Sequence, residues 1–184
     1  IQAWLQVGAA DETPENAGVA HLHEHMLFKG TEKRSGEKLT REIHAAGANI
    51  NAYTTFDRTV YYIDTPSEKT GVAIDILADV VLCSVLPVKE VAKEREVILR
   101  EIDMGNDDPD RQVSHVLFRN VFREHPYRYP IIGHRELFEA ISREDLLTYY
   151  QARYVPNNMT LVVVGDFHSS ELRDEIEKKF GKID

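Results

Sequence analysis

Apolar and polar residues are patterned along the chain in a way that predicts four strands. Residues 1–8 alternate with a period of two, as expected for a strand with one buried face. Residues 49–55 and 59–65 are rich in β-forming residues and are separated by Phe56, Asp57 and Arg58, which favours a hairpin. The largely apolar run at residues 159–164 has the length of a fourth strand.

Between these strands, apolar residues recur at helical spacing. The predicted helices cover approximately residues 17–28, 36–46, 67–84, 87–106, 111–124, 136–153 and 169–180. Ser35, Ser67 and Ser169 or Ser170 stand where N-caps are expected, and the sixth helix is expected to break near Ser142. Since helices and strands do not alternate one for one, the order favours an α+β fold, with helices packed on a mostly antiparallel sheet, over a doubly wound parallel fold.

The length of 184 residues predicts a single domain, residues 1–184, with a sizeable core. The chain opens inside a predicted strand and has no initiator Met. We therefore expect it to be a fragment of a longer chain, with one or more N-terminal strands missing.

The composition predicts a soluble globular protein and limits its partners. A net charge of −9 argues against binding nucleic acid or anionic membranes, and it repels basic peptides less than acidic ones. No run approaches the roughly 18 apolar residues of a membrane-spanning helix, so no membrane insertion is expected. Cys83, alone and inside an apolar run, predicts buried packing. The compartment stays open, with cytoplasm or periplasm as the candidates for a bacterial source.

The candidate chemistry lies in the first predicted helix, where His21, Glu24 and His25 form the pattern His-x-x-Glu-His. On a helix the two His lie roughly 40° apart around the axis, so their imidazoles can converge on one metal ion. Glu24 lies roughly 60° to the other side of His21, within reach of a water at the same ion, which predicts a general base. This is the inverzincin order, the reverse of His-Glu-x-x-His.

A catalytic zinc site uses three protein ligands, so a third ligand must come from another element. The predicted helix at residues 87–106 offers Glu94 and Glu101, which lie seven positions and roughly 20° apart, whereas Glu96 points away. Helical spacing alone does not choose between them, and one would be the ligand with the other behind it. The alternative for both is a solvated charged face paired with nearby Lys and Arg.

Four segments carry a resemblance that covers nearly the whole chain. They are residues 17–31 around the motif, residues 47–54, residues 94–101, and residues 154–161 leading to Gly165 and Asp166. In these segments the chain resembles the N-terminal domain of the pitrilysin/insulinase family of zinc metallopeptidases, which includes the mitochondrial processing peptidases. The resemblance implies the α/β roll of that family and one zinc ion per domain. His23 departs from it, because the family usually has an apolar or aromatic residue there.

The resemblance also implies roles for particular residues. The family places its third ligand about 76 positions after the second His, and Glu101 lies 76 positions after His25, so Glu101 is implied as the ligand and Glu94 as the supporting acid. The segment Asn51, Ala52 and Tyr53 matches a strand edge that pairs with extended substrate.

Together these observations predict a zinc-dependent endopeptidase that acts on peptides or unfolded segments. A second homologous half, on the same or another chain, is implied as a partner. The isolated segment is therefore expected to bind zinc but to cleave weakly or not at all. Two alternatives are a non-catalytic structural or partner subunit of the same family and a simple peptide-binding module. The intact set of motif residues favours the enzyme.

Overall fold

Four strands form one open sheet in which all neighbouring strands are antiparallel. The computed structural model describes residues 1–181, and its strands are β1 (Gln2–Leu5), β2 (Asn49–Thr54), β3 (Thr59–Asp64) and β4 (Met159–Val162). Their order across the sheet is β2-β3-β1-β4, so β2 and β4 form its two edges. The predicted hairpin is present, since β2 and β3 pair directly along their whole length.

Eight α-helices accompany the sheet within residues 1–181. They are α1 (Val19–Leu27), α2 (Gly36–Ala45), α3 (Thr70–Leu82), α4 (Val88–Asn106), α5 (Pro109–Val121), α6 (Arg135–Phe138), α7 (Arg143–Arg153) and α8 (Ser169–Phe180). The predicted break of the sixth helix lies between α6 and α7, where Ser142 Oγ accepts a hydrogen bond from the N–H of Asp145. In the described part of the chain, no helix is both long and apolar enough to cross a membrane.

The core lies between one face of the sheet and the helices. On this face, alternate residues of β1 and β3 are fully buried, among them Ala3, Leu5, Tyr61 and Ile63. These side chains share one cluster with buried residues of α1 and α3, among them Leu22, Met26, Ile76, Leu77 and Val80. Val60, which points to the opposite face of β3, is buried as well. Burying each large apolar side chain contributes about 1.5–3 kcal/mol, so α1 is held firmly against the sheet. The predicted α+β fold is confirmed.

Some local predictions are wrong. Cys83 is exposed rather than buried, because α3 ends at Leu82 and the backbone leaves helical geometry at Cys83, so that Ser84 is buried instead. Ser67 does not cap α3 but begins a single 3-10 turn, after which the helix starts at Thr70. The residue before α8 is His168, whose side chain makes no capping hydrogen bond.

Candidate metal centre and active site

The helix that carries the motif begins at a glycine and receives a cap from a distant carboxylate. Gly18 has a φ of 100°, and a Cβ there would lie 2.7 Å from the carbonyl oxygen of Ile132, so both conformation and space require glycine. The Glu12 carboxylate accepts hydrogen bonds from the N–H groups of Gly18 at 2.8 Å and Ala20 at 2.7 Å. These contacts satisfy amides that a helix N-terminus otherwise leaves without partners, and they set the orientation of α1.

The two faces of α1 have different surroundings. Leu22 and Met26 are fully buried in the core. His21 and His25 lie on the other face, with their ring centroids 4.8 Å apart. Their side chains are 14% and 23% exposed, so both imidazoles are largely shielded, and His21 also lines a surface cavity.

Helix α4 packs against α1 and brings Glu101 to both imidazoles. The Oε2 atom of Glu101 lies 3.9 Å from Nε2 of His21 and 3.9 Å from Nε2 of His25. One ligand atom from each of these three residues lies within 4.8 Å of the others. Packing of the two helices thus brings together the three side chains that the sequence suggested as ligands.

Glu94 contacts His25 on the side of the ring opposite to Glu101. Its Oε2 lies 3.2 Å from Nδ1 of His25, and its Oε1 lies 2.7 Å from Nζ of Lys29. Because the contact uses the Nδ1 atom of His25, the Nε2 atom remains directed at Glu101. Helical spacing left Glu94 and Glu101 equivalent, whereas the packed helices give them different neighbours.

Burial dominates the electrostatics of the motif. Burial, followed by the charges of His25 and Arg111, lowers the pKa of His21 to about 3, so this imidazole is neutral at pH 7, the form that binds metals. Burial also raises the pKa of the Glu24 carboxyl above its ordinary value, and the nearby Glu101 carboxylate acts in the same direction. A raised pKa suits a carboxylate that exchanges a proton near neutral pH.

The edge strand β2 ends beside the motif. The hydroxyl of Thr54, its last residue, donates a hydrogen bond to Oε2 of Glu24. Asn51 is exposed, Ala52 is half-buried and Tyr53 is 37% exposed, and the side chain of Asn51 accepts a hydrogen bond from the N–H of Ala52. The strand pairs only with β3 among residues 1–181, so its other edge runs toward Glu24 without a strand partner.

His23 faces away from the site and lies in the core. It is fully buried, and its ring centroid lies 4.3 Å from that of Tyr154 and 5.1 Å from that of Tyr150. Neither ring nitrogen has a hydrogen-bond partner within the described chain. The expectation that His23 is structural agrees with this position.

Three residues near the site were not predicted from the sequence. Thr54 contacts Glu24, Lys29 pairs with Glu94, and Arg111 lies near enough to affect His21. Lys29 lies four positions after His25 but beyond the end of α1, so helical spacing offered no firm signal for it. Thr54 and Arg111 approach only through tertiary packing, for which the sequence offers no local signal.

The residues present fit a zinc ion. Two imidazoles and one carboxylate form a known ligand set of catalytic zinc, with a fourth position open. The buried neutral His21 and the contact between His25 Nδ1 and Glu94 are what such a site requires, since ligating imidazoles commonly use the second nitrogen to contact a carboxylate. The separations of 3.9 Å are within reach of one cation after small side-chain shifts.

The inverted order His-x-x-Glu-His on α1, which packs against the glutamate-bearing α4, is the motif order of the inverzincin metallopeptidases. The chain belongs to the insulinase family, peptidase family M16, whose family model matches residues 1–135. A second model, described as the peptidase M16 inactive domain, matches residues 140–184.

Individual relatives agree with this membership. The chain is 35% identical to an uncharacterised zinc protease from Mycobacterium leprae, over 98% of this chain and 41% of that protein. It is 35% identical to the β subunit of the mitochondrial-processing peptidase from Caenorhabditis elegans, over 100% of this chain and 40% of that protein. The crystal structure of a protease from Helicobacter pylori superposes with a TM-score of 0.94 at 26% identity, over 99% of this chain and 44% of that one. The chain thus spans less than half the length of these relatives.

Proposed function

We propose that the chain is the zinc-binding catalytic domain of an endopeptidase that hydrolyses peptides or unfolded segments. The observation that carries the proposal is the convergence of ligand atoms from His21, His25 and Glu101 within 4.8 Å, with Glu24 on the same helix as the two His. Membership of the M16 family, and relatives that are named zinc proteases, support the same function.

Each side chain has a separate part in the proposed reaction. When bound by His21, His25 and Glu101, zinc supplies Lewis acidity toward the scissile carbonyl and toward a water molecule. Glu24 accepts the proton of the attacking water and returns it to the leaving amide nitrogen as general acid. Thr54 holds Oε2 of Glu24, which leaves the other oxygen for the proton. Glu94 keeps the His25 ring oriented through Nδ1.

The exposed edge of β2 is the proposed binding site for the peptide backbone. An extended peptide that adds to Asn51, Ala52 and Tyr53 would continue the sheet and pass Thr54 toward Glu24. Main-chain pairing of this kind accepts many side chains, which suits substrates that are unfolded segments.

A second homologous half, on the same or another chain, is proposed to complete the substrate site. The support is the length of the relatives, of which the chain covers 40–44% in the three comparisons above. Hydrolysis should therefore be assayed with a protein as long as these relatives. If the second half is encoded separately, its chain should be added.

Glu24→Gln separates the general base from the ligands. We expect this variant to retain its full zinc content, measured by native mass spectrometry and metal analysis, while hydrolysis of a quenched fluorescent peptide falls about 10²- to 10⁴-fold. His25→Ala and Glu101→Gln should instead lose or greatly weaken zinc binding, because each removes one of the three ligands.

Glu96→Gln is the matched control, because Glu96 lies on α4 with Glu101 but is exposed and makes no ion pair within the described residues. It should change neither zinc content nor turnover. Hydrolysis by Glu24→Gln at the normal rate would contradict the role of Glu24. A wild-type protein that binds zinc and peptide but cleaves nothing would favour the non-catalytic subunit.

A further inference from the structure

A cavity adjoins the metal centre between the end of α4, helix α5 and the loop before α6. Its volume is about 560 Å³. A second cavity of about 420 Å³ leads from the same wall to His21 and Glu101. Glu101, Arg111, His115 and Arg128 line both cavities, so the larger one begins beside the candidate metal ligands.

Basic residues outnumber acidic residues in the lining of the larger cavity, although the net charge of the chain is −9. Its acidic lining residues are Glu101 and Glu136. Six basic residues line it: Arg111, Arg119, Arg128, Arg135, His115 and His134. Burial, together with the charges of His134 and Arg111, lowers the pKa of His115, as expected where positive groups are crowded. Four Arg thus face two acidic residues in the lining of this cavity.

Not all of these guanidinium groups are free to bind a ligand. Arg135 is already neutralised by Asp103 at 2.6 Å and Glu139 at 3.2 Å. Arg111 has a much looser contact, since its Nε lies 3.6 Å from Oδ2 of Asp108 and its side chain is 55% exposed. An exposed pair at that distance contributes little, so Arg111 can turn to another carboxylate at small cost.

Arg128 is held in place without being neutralised. Its guanidinium donates a hydrogen bond to the carbonyl oxygen of Arg123 and lies 5.6 Å from the centroid of the Tyr129 ring. Within residues 1–181, no carboxylate lies within 4.0 Å of it in an ion pair. A positioned cation with unused donors is suited to a carboxylate ligand.

We infer that Arg111 and Arg128 form a subsite for a carboxylate of the peptide substrate. The inference rests on the proposed peptidase function. Guanidinium groups bind carboxylates through paired hydrogen bonds, and charge-assisted pairs of this kind are stronger than neutral ones. Because Arg111 lines the second cavity together with His21 and Glu101, the carboxylate lies within a few residues of the scissile bond. It comes from an Asp or Glu side chain or from the C-terminus of a short peptide.

The test compares peptides that differ only in one carboxylate. One series carries a single Glu or the isosteric Gln at successive positions on either side of the cleaved bond, with an amidated C-terminus. A second pair carries Gln with a free or amidated C-terminus, which separates side-chain from terminal carboxylates. Binding is measured by fluorescence anisotropy to the full-length Glu24→Gln protein, and kcat/KM is measured with the wild type.

At one position, or at the free C-terminus, we expect the acid to bind about tenfold more tightly than its neutral counterpart, with a similar ratio in kcat/KM. Arg111→Gln and Arg128→Gln should each bring that ratio close to one, and the ratio is compared rather than the absolute rate because Arg111 also lies near His21. Arg111→Glu should bring the ratio below one, because it places a second negative charge beside the acidic peptide. The control is Arg41→Gln, which removes the same charge from the exposed surface of α2, remote from both cavities, and should keep the ratio.

The two proposals fail in different ways. Hydrolysis with equal kcat/KM and equal binding for acid and neutral peptides at every position would overturn the subsite and leave the peptidase function standing. Equal losses for acid and neutral peptides in Arg111→Gln would also overturn it, because they would indicate a structural role. Tight binding of acidic peptides that are never cleaved would support the subsite and contradict the peptidase function.

Discussion

At the scale of single residues, Glu12, which caps the motif helix, should make the stability of the fold depend on pH. Burial raises the pKa of the Glu12 carboxyl from 4.5 to about 7, although the N–H groups of Ala20 and Gly18 act in the opposite direction. The folded state therefore holds this proton more tightly than the unfolded state does. Its contribution to stability is complete below pH 4.5 and is lost as the pH rises through about 7, with a size of roughly 3 kcal/mol.

Glu12→Gln isolates this contribution from other titrating groups. We expect the free energy of unfolding of the wild type to fall, relative to that of Glu12→Gln, by roughly 3 kcal/mol between pH 4.5 and pH 8. Urea denaturation followed by circular dichroism at several pH values provides the measurement. Glu15→Gln is the control, because Glu15 is exposed in the same loop. Parallel pH profiles for wild type and Glu12→Gln would contradict the prediction.

Local sequence predicted some residues of the candidate site but not others. His21, Glu24 and His25 share one helical turn, so their spacing alone suggested a common site. Glu12 caps the same helix from eight positions before Ala20, through a loop whose path the hydrophobic pattern does not specify. Local sequence also does not predict that Arg111 lies near His21, because this proximity depends on how α5 packs.

At the scale of elements, Arg34 lies in the segment that precedes α2, and it connects this segment to α3 through ion pairs. Its guanidinium donates hydrogen bonds to Asp79 at 2.7 Å and Glu42 at 2.7 Å and also pairs with Asp75. The Asp79 side chain is only 1% exposed and accepts a further hydrogen bond from Thr31. Removing the cation would leave a buried carboxylate without its charge partner, which is costly.

We expect Arg34→Met to lower the free energy of unfolding by about 3 kcal/mol, and Asp79→Asn in the same background to restore part of it, because the buried charge is then absent. Lys38→Met is the control: its pair with Glu42 spans 3.7 Å at an exposed position and should contribute less than about 1 kcal/mol. Thermal denaturation of the four proteins tests this. Equal losses in Arg34→Met and Lys38→Met would contradict the assigned role of Asp79.

The existence of the elements was easier to predict than their ends. The long amphipathic pattern of α4 gave its extent closely, since a stripe of buried residues recurs over nineteen positions. The end of α3 was missed because an apolar run does not mark where the backbone leaves the helix, and Cys83 therefore lies on the surface. The pairing of β1 between β3 and β4 also had no local signal, because the three strands are far apart in sequence.

At the scale of the whole molecule, zinc should stabilise the fold of residues 1–184 even without the proposed second half. The proposed ligands come from two helices that belong to the same core, so residues 1–184 should bind zinc alone. Excess zinc at about 100 times its dissociation constant would add about 2.7 kcal/mol to the free energy of unfolding and raise the melting temperature by several degrees. Peptide hydrolysis by this segment should remain weak.

Melting curves with zinc, and with a chelator in its place, provide the measurement. The zinc-dependent shift should disappear in Glu101→Gln and persist in Glu96→Gln, which removes a charge from the same helix outside the site. An unchanged shift in Glu101→Gln would contradict the ligand set. Vigorous proteolysis by residues 1–184 would contradict the need for a second half.

Local sequence determined the helix that carries the motif, the hairpin and the α+β class, because backbone periodicity and side-chain spacing within one element act over a few residues. Only the tertiary structure distinguished Glu94 from Glu101, since both lie on one face of α4. The packing of α1 places Glu94 at Nδ1 of His25 and Glu101 near Nε2 of the same ring. The tertiary structure also brought four Arg side chains to one cavity of an acidic chain, because net charge is a sum over the sequence whereas the charges around a cavity depend on which residues folding brings together.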